Sequence, residues 1–133
     1  MKNETLRYKK LWLTIGLLMI AFVVVETLTP SPIGTGMHIS DKILHIAGYF
    51  GMMGWFVQIF HNRKYQLLMA IGFISMGMML ELVQGWGGVR QYEVADMLAN
   101  GTGVVLAWLL SLSGFRNILL KVELIILKHK SAV

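Results

Sequence analysis

The sequence predicts an all-α membrane protein: four transmembrane helices arranged as two hairpins, followed by an amphipathic helix at the C-terminus. Two observations carry this. Of 133 residues, 56% are hydrophobic and only 14% charged, against about 25% charged in an average globular chain. The basic residues are also sorted among the apolar stretches rather than spread evenly. The 133 residues make one domain.

A membrane helix needs about 20 mostly apolar residues to cross a hydrocarbon layer of about 30 Å. Four stretches approach that length, at residues 11–29, 43–60, 66–84 and 97–112. The first carries one charge, Glu26. The second has Asp41, Lys42 and His45 in its opening turns, the third has Glu81 near its end, and the fourth is opened by Asp96 and contains Asn100. Between residues 115 and 128 the apolar positions Phe115, Ile118, Leu119, Val122, Ile125 and Ile126 recur at helical spacing with lysines interleaved. That pattern predicts a helix lying on a membrane surface, or an extension of the fourth span.

Lys2, Arg7, Lys9 and Lys10 precede the first span, Arg63 and Lys64 separate the second from the third, and Arg116, Lys121, Lys128 and Lys130 follow the fourth. The positive-inside bias makes that side cytoplasmic, with both termini inside and two outer loops near residues 30–40 and 85–95. The apolar run after a basic start resembles a signal peptide, but Glu26 interrupts the cleavage region and no A-x-A site follows. The first stretch is therefore expected to be a retained span. The net charge of +5 does not indicate nucleic acid, because its sources are dispersed over membrane flanks. The chain has no cysteine, which excludes disulfides, thiolate nucleophiles and sulfur-ligated zinc.

Charged groups in hydrocarbon are costly and normally mark a pathway, a partner or a site. With this topology Glu26 and Glu81 lie near the outer ends of spans one and three, and Asp41, His45, Asp96 and Asn100 near the outer starts of spans two and four. One outward-facing cluster is expected. Asp41, His45 and Gly48 share a helix face, as do Asp96, Asn100 and Gly103. Ala47, Gly51, Ala99, Gly103 and Ala107 are small residues at four-residue steps, expected mainly to let helices approach. Adding 55 to Glu26, Asp41, His45 and Gly48 gives Glu81, Asp96, Asn100 and Gly103, which suggests a parallel internal repeat of two hairpins. On the outer side Glu26, Asp41, Glu81, Glu93 and Asp96 outnumber Lys42 and Arg90. Such an excess of carboxylates must be relieved by protons, by His45 in its charged form or by a bound cation.

At these residues the sequence resembles the VanZ-like family of small membrane proteins, named for a member associated with teicoplanin resistance. The resemblance lies in Asp41-Lys42-x-x-His45, Glu81-x-x-Gln84, Arg90 and Asp96-x-x-x-Asn100-x-x-Gly103, and covers roughly residues 25 to 110. The tract Gly85-Trp86-Gly87-Gly88-Val89 departs from the family's proline-containing turn. The resemblance implies an event at the outer face of a bacterial cytoplasmic membrane and states no reaction, so resistance itself is not transferred to this chain.

Three functions compete. In the first, an enzyme acts on a lipid-linked envelope molecule or an amphiphilic antibiotic such as a lipoglycopeptide. Asp41, His45, Glu81 and Asp96 would be the catalytic set, and Glu26, Lys42, Gln84, Arg90 and Asn100 would bind the substrate, with Arg90 on an anionic head group. No cofactor is expected. A divalent metal held by Asp41, His45, Glu81 and Asp96 is the alternative that would relieve the acidic excess, although this set has no recognised ligand spacing. The second function is non-catalytic binding of an envelope lipid or partner. The third, proton-coupled transport, would require a homodimer and sits poorly with acids away from the midplane. Arg90 and Asp96 could also simply pair and pin the outer loop.

Overall fold

The computed structural model describes residues 5–30 and 40–132. The predicted loop at 30–40 falls almost wholly outside these, as do Lys2, Glu4 and His38. Every regular element among the described residues is helical: α1 (Lys9–Leu28), α2 (Asp41–Ile59), α3 (Arg63–Trp86), α4 (Val94–Leu110), a 3-10 turn (Gly114–Asn117) and α5 (Ile118–Ser131). The predicted stretches fall on α1 to α4, with boundaries displaced by one to three residues, mostly because polar ends continue the helices. Asn62 is one reason: its side chain accepts the Lys64 N–H at 2.9 Å and starts α3 ahead of its apolar run. At the other end of α3 the Val89 N–H closes on the Gln84 carbonyl at 3.1 Å. This turn needs Gly88 at φ +65°, a conformation that costs glycine least.

Two helices, α1 and α3, are long and apolar enough to cross a membrane, and α4 with the segment Gly114–Ser131 adds a third if that bent pair is one span. The expected four spans are thus only partly met by length. Helices α2 and α4 have 19 and 17 residues, or about 28 and 25 Å at 1.5 Å per residue, and both open on an acid. The bend between α4 and the following segment is 79°, so α5 turns across the end of the bundle and does not extend α4.

Helix α2 is the hub, touching all the other helices, and its largest interface is with α4. The core is built from Tyr49, Met52, Met53, Phe56 and Val57 of α2, Ala70 and Phe73 of α3, and Val104 and Ala107 of α4. Gly103 makes the α2/α4 contact: a Cβ there would lie 2.4 Å from the Ile46 carbonyl oxygen and 2.9 Å from the Phe50 nitrogen. The two second helices of the predicted hairpins therefore meet backbone to backbone. His45 faces Asn100, 55 residues on, across this interface, and beyond the end of α2 His61 bonds the Arg116 carbonyl in the 3-10 turn at the same offset. Gly48, the counterpart of Gly103, has nothing within 4 Å of its Cβ position. It borders open space, unlike its counterpart.

Polarity is inverted relative to a water-soluble bundle. Gln66, Glu81, Gln84, Asp96, Asn100 and Glu123 are all buried, while Leu17, Leu18, Phe22, Leu68, Met79, Leu98 and Leu109 lie exposed. Polar groups inside must be satisfied there, and most are. At the end of the bundle away from Asp41, Arg63 donates to Ser111 Oγ (2.8 Å) and Gln66 Oε1 (2.5 Å), while Gln66 donates to the Phe60 carbonyl at 2.9 Å. This ties the start of α3 to the end of α4.

Helix α5 corrects one expectation. Phe115 falls in the 3-10 turn against Phe50 and Gly54, and Leu119 is buried, but the most buried residue of α5 is Glu123. Its carboxylate accepts the backbone N–H groups of Arg7 (2.7 Å) and Tyr8 (2.8 Å) and the Trp12 indole N–H (2.6 Å). An acid in an otherwise apolar and basic helix thus caps the start of α1, where free N–H groups and the helix dipole favour an anion. Ile118, Val122, Ile125 and Ile126 stay exposed along the rest of α5.

Candidate functional site

The polar residues of the Asp41 end sit on four helices. Asp41, Lys42 and His45 open α2, and Asp96 and Asn100 occupy the same turns of α4. Glu81 comes from the last part of α3, Glu26 from the end of α1, and Arg90 and Glu93 from the α3–α4 connection. The close α2/α4 approach at Gly103 sets the opening turns of these two helices side by side.

His45 is the junction. Its Nδ1 lies 2.8 Å from Asn100 Oδ1; a carbonyl oxygen can only accept, so Nδ1 is the donor and Nε2 is the ring nitrogen left for other partners. That Nε2 faces Asp41 Oδ2 and Asp96 Oδ2, each at 3.5 Å. Asn100, expected to touch substrate, instead holds the imidazole in place. Asp41 Oδ2 also accepts from Arg90 Nη2 at 2.9 Å. Lys42 pairs with both Glu93 and Asp96. The expected Arg90–Asp96 pair is therefore exchanged: Arg90 crosses to Asp41 on α2, and Lys42 crosses to Asp96 on α4. Both pairs fasten α2 to the α3–α4 side. Helix packing decides the choice, since Asp96 points into the α2/α4 seam and is buried, whereas Asp41 is 41% exposed and accessible to the loop.

Glu81 is wholly buried, and its Oε1 accepts the Glu93 backbone N–H at 3.1 Å. Glu93 is the N-cap residue of α4, so Glu81 serves as a hydrogen-bond acceptor at that helix start. It is also within electrostatic reach of Asp96, His45 and Arg90. Gln84 is buried and donates to the Thr27 carbonyl, tying α3 to α1.

A cavity of about 280 Å³ lies beside this cluster, between α1 and α2. Phe22, Val23 and Leu44 give it apolar walls, Gly48 leaves it room, and Glu26, Asp41, His45 and Arg90 form its polar end. The expected site residues are thus divided. Glu26, Asp41, His45 and Arg90 border the cavity. Lys42, Glu81, Asp96 and Asn100 stand behind His45, and Gln84 packs elsewhere. His45 is the wall between the two groups. Tyr49 also lines the cavity and is nearly buried; it was not singled out from sequence, although it lies one turn below His45 on the same face. Glu93 was counted only as a charge.

Compared with known proteins, the chain matches no family model, no curated protein and no solved structure.

Proposed function

We propose that the chain is a VanZ-like integral membrane protein in which α1 to α4 cross a bacterial cytoplasmic membrane and α5 lies along the cytoplasmic surface with both termini on that side. In this reading the Asp41 end faces outward. It binds, and through His45 processes, the head group of a lipid-linked envelope molecule or an amphiphilic antibiotic. The observation that carries the reading is the cavity, which joins apolar walls to a charged end and so has the polarity of an amphiphile. An acyl or prenyl chain would lie along Phe22, Val23 and Leu44, with the head group at Arg90 and His45. His45 has the chemistry for proton transfer, with Asn100 orienting the ring through Nδ1 and two carboxylates beside Nε2. Support also comes from the inverted polarity of the bundle, because exposed leucines are stable in lipid and buried acids need shelter from it.

Two variants test the cavity. Gly48→Leu would grow into the open space without meeting a neighbour at its Cβ, and Arg90→Ala removes the cation at the polar end. Titration of the detergent-solubilised protein with a polyprenyl phosphate, followed by native mass spectrometry, should show saturable binding that both variants weaken at least tenfold. Equal affinity in wild type and Gly48→Leu would rule out this cavity as the binding site.

A further inference from the structure

We infer that Asp41, His45 and Asp96 form a site for one divalent cation of the zinc class, with its remaining coordination position opening on the cavity. Three features converge on this. The first is the donor geometry. With Nδ1 committed to Asn100, His45 directs Nε2 toward Asp41 Oδ2 and Asp96 Oδ2. At 3.5 Å each, neither contact is a well-formed hydrogen bond. The three donor atoms thus converge on one point from two helices. Ligands bound at about 2.0–2.1 Å in a tetrahedron lie about 3.4 Å apart, close to the two His45 edges of 3.5 Å, and all three donors lie within 4.8 Å of one another.

The second feature is the environment of these donors. The His45 side chain is 92% buried, at 8% exposure, and its free nitrogen is aimed into the cluster. Asp96 divides its oxygens, Oδ1 to Lys42 and Oδ2 toward His45. Asn100 gives the imidazole the outer hydrogen bond that metal-binding histidines ordinarily have, which fixes the ring and raises its basicity. The third feature is a buried acceptor left without a donor. Glu81 Oε2 is buried with no hydrogen-bond partner among the described residues, and Glu81 lies within electrostatic reach of Asp96 and His45.

One imidazole with two carboxylates suits a small transition cation better than calcium or magnesium, which take six or more oxygens or retain several waters. It also answers the electrostatic difficulty of the proposed ligand. An anionic head group would be repelled by Glu26 and Asp41, but a cation with an open position beside Arg90 would attract a phosphate or carboxylate oxygen. That use of the open position rests on the head-group reading above, whereas the cation site is tested without lipid, so the two can fail separately.

The test is calorimetric titration of the metal-free, full-length protein in detergent with Zn²⁺, alongside Co²⁺ addition followed by its visible spectrum. One site per chain is expected, with a Co²⁺ spectrum of four-coordinate nitrogen and oxygen donors. His45→Gln and Asp41→Asn should each weaken binding at least tenfold while helical circular dichroism is retained. His61→Gln and His129→Gln should leave it unchanged. Asp41 is 41% exposed, so its variant keeps the test decisive if His45→Gln does not fold. The inference is overturned if wild type shows no saturable site, if Asp41→Asn binds as tightly as wild type, or if the site follows His61 or His129.

Discussion

Replacing Gly103 with alanine should loosen the seam on which the whole site depends. The new Cβ would lie 2.4 Å from the Ile46 carbonyl oxygen, about 0.9 Å inside the ~3.3 Å at which carbon ordinarily meets such an oxygen. The obstacle is backbone of α2, so no side chain can swing aside. Helices α2 and α4 must separate by most of that amount, which would lengthen the 2.8 Å His45–Asn100 hydrogen bond beyond useful range. Overpacking of this kind costs about 3 kcal/mol at the upper end of its usual range, and the lost hydrogen bond adds about 1 kcal/mol. The better helix propensity of alanine returns about 1 kcal/mol. The net loss is about 3 kcal/mol, or a fall in Tm of roughly 10 °C for a chain of this size. Gly101→Ala is the matched control, two residues away on α4 with nothing within 4 Å of its Cβ position, and it should be neutral or slightly stabilising. Thermal unfolding in detergent by circular dichroism reads both variants. If Gly103→Ala melts within about 2 °C of wild type, or Gly101→Ala falls as far, the backbone contact does not hold the site together.

Glu123→Gln should detach the start of α1, because an amide oxygen replaces a carboxylate that accepts three N–H groups and the new NH₂ faces donors. A loss of about 1–3 kcal/mol is expected, with faster amide exchange at Arg7 and Tyr8; unchanged exchange there would refute the capping role. The proposed topology can be read in a chain with no native cysteine. Trp86→Cys, at a side chain that is 94% exposed, should react with an impermeant thiol reagent from outside intact cells, and Lys128→Cys should not. Labelling of both from the same side would contradict a four-span arrangement.

The helices were legible because their signal is local. Apolar runs separated by glycine, basic and polar clusters define α1 to α4 whatever surrounds them, whereas the 79° bend between Leu110 and Gly114 was not fixed by the apolar pattern, which fits a surface helix and a continued fourth span alike. The polar cluster was legible in outline for a similar reason: acids near the ends of apolar helices are rare enough to be informative. Its pairing was not. Nothing in the spacing of Arg90 and Asp96 tells that Asp41 lies closer to the arginine, because that depends on which acid the α2/α4 seam buries. Gln84 and Glu93 show the same limit. One was assigned to substrate and bonds the Thr27 carbonyl, and the other was only a charge until Lys42 and Glu81 were placed beside it.

Glu123 marks the boundary most clearly. Its sequence context, an acid among leucines, isoleucines and lysines, is that of any surface helix, and its burial follows only from α5 folding back over Arg7, Tyr8 and Trp12. The sequence by itself determined an all-helical chain, the order of its helices and the end of the bundle where acids gather, since hydrophobicity and charge act over a few turns. Tertiary structure alone decided that Gly103 joins two backbones while Gly48 opens a cavity, and that His45 stands between that cavity and Asp96. Those outcomes turn on separations of an ångström between helices distant in sequence.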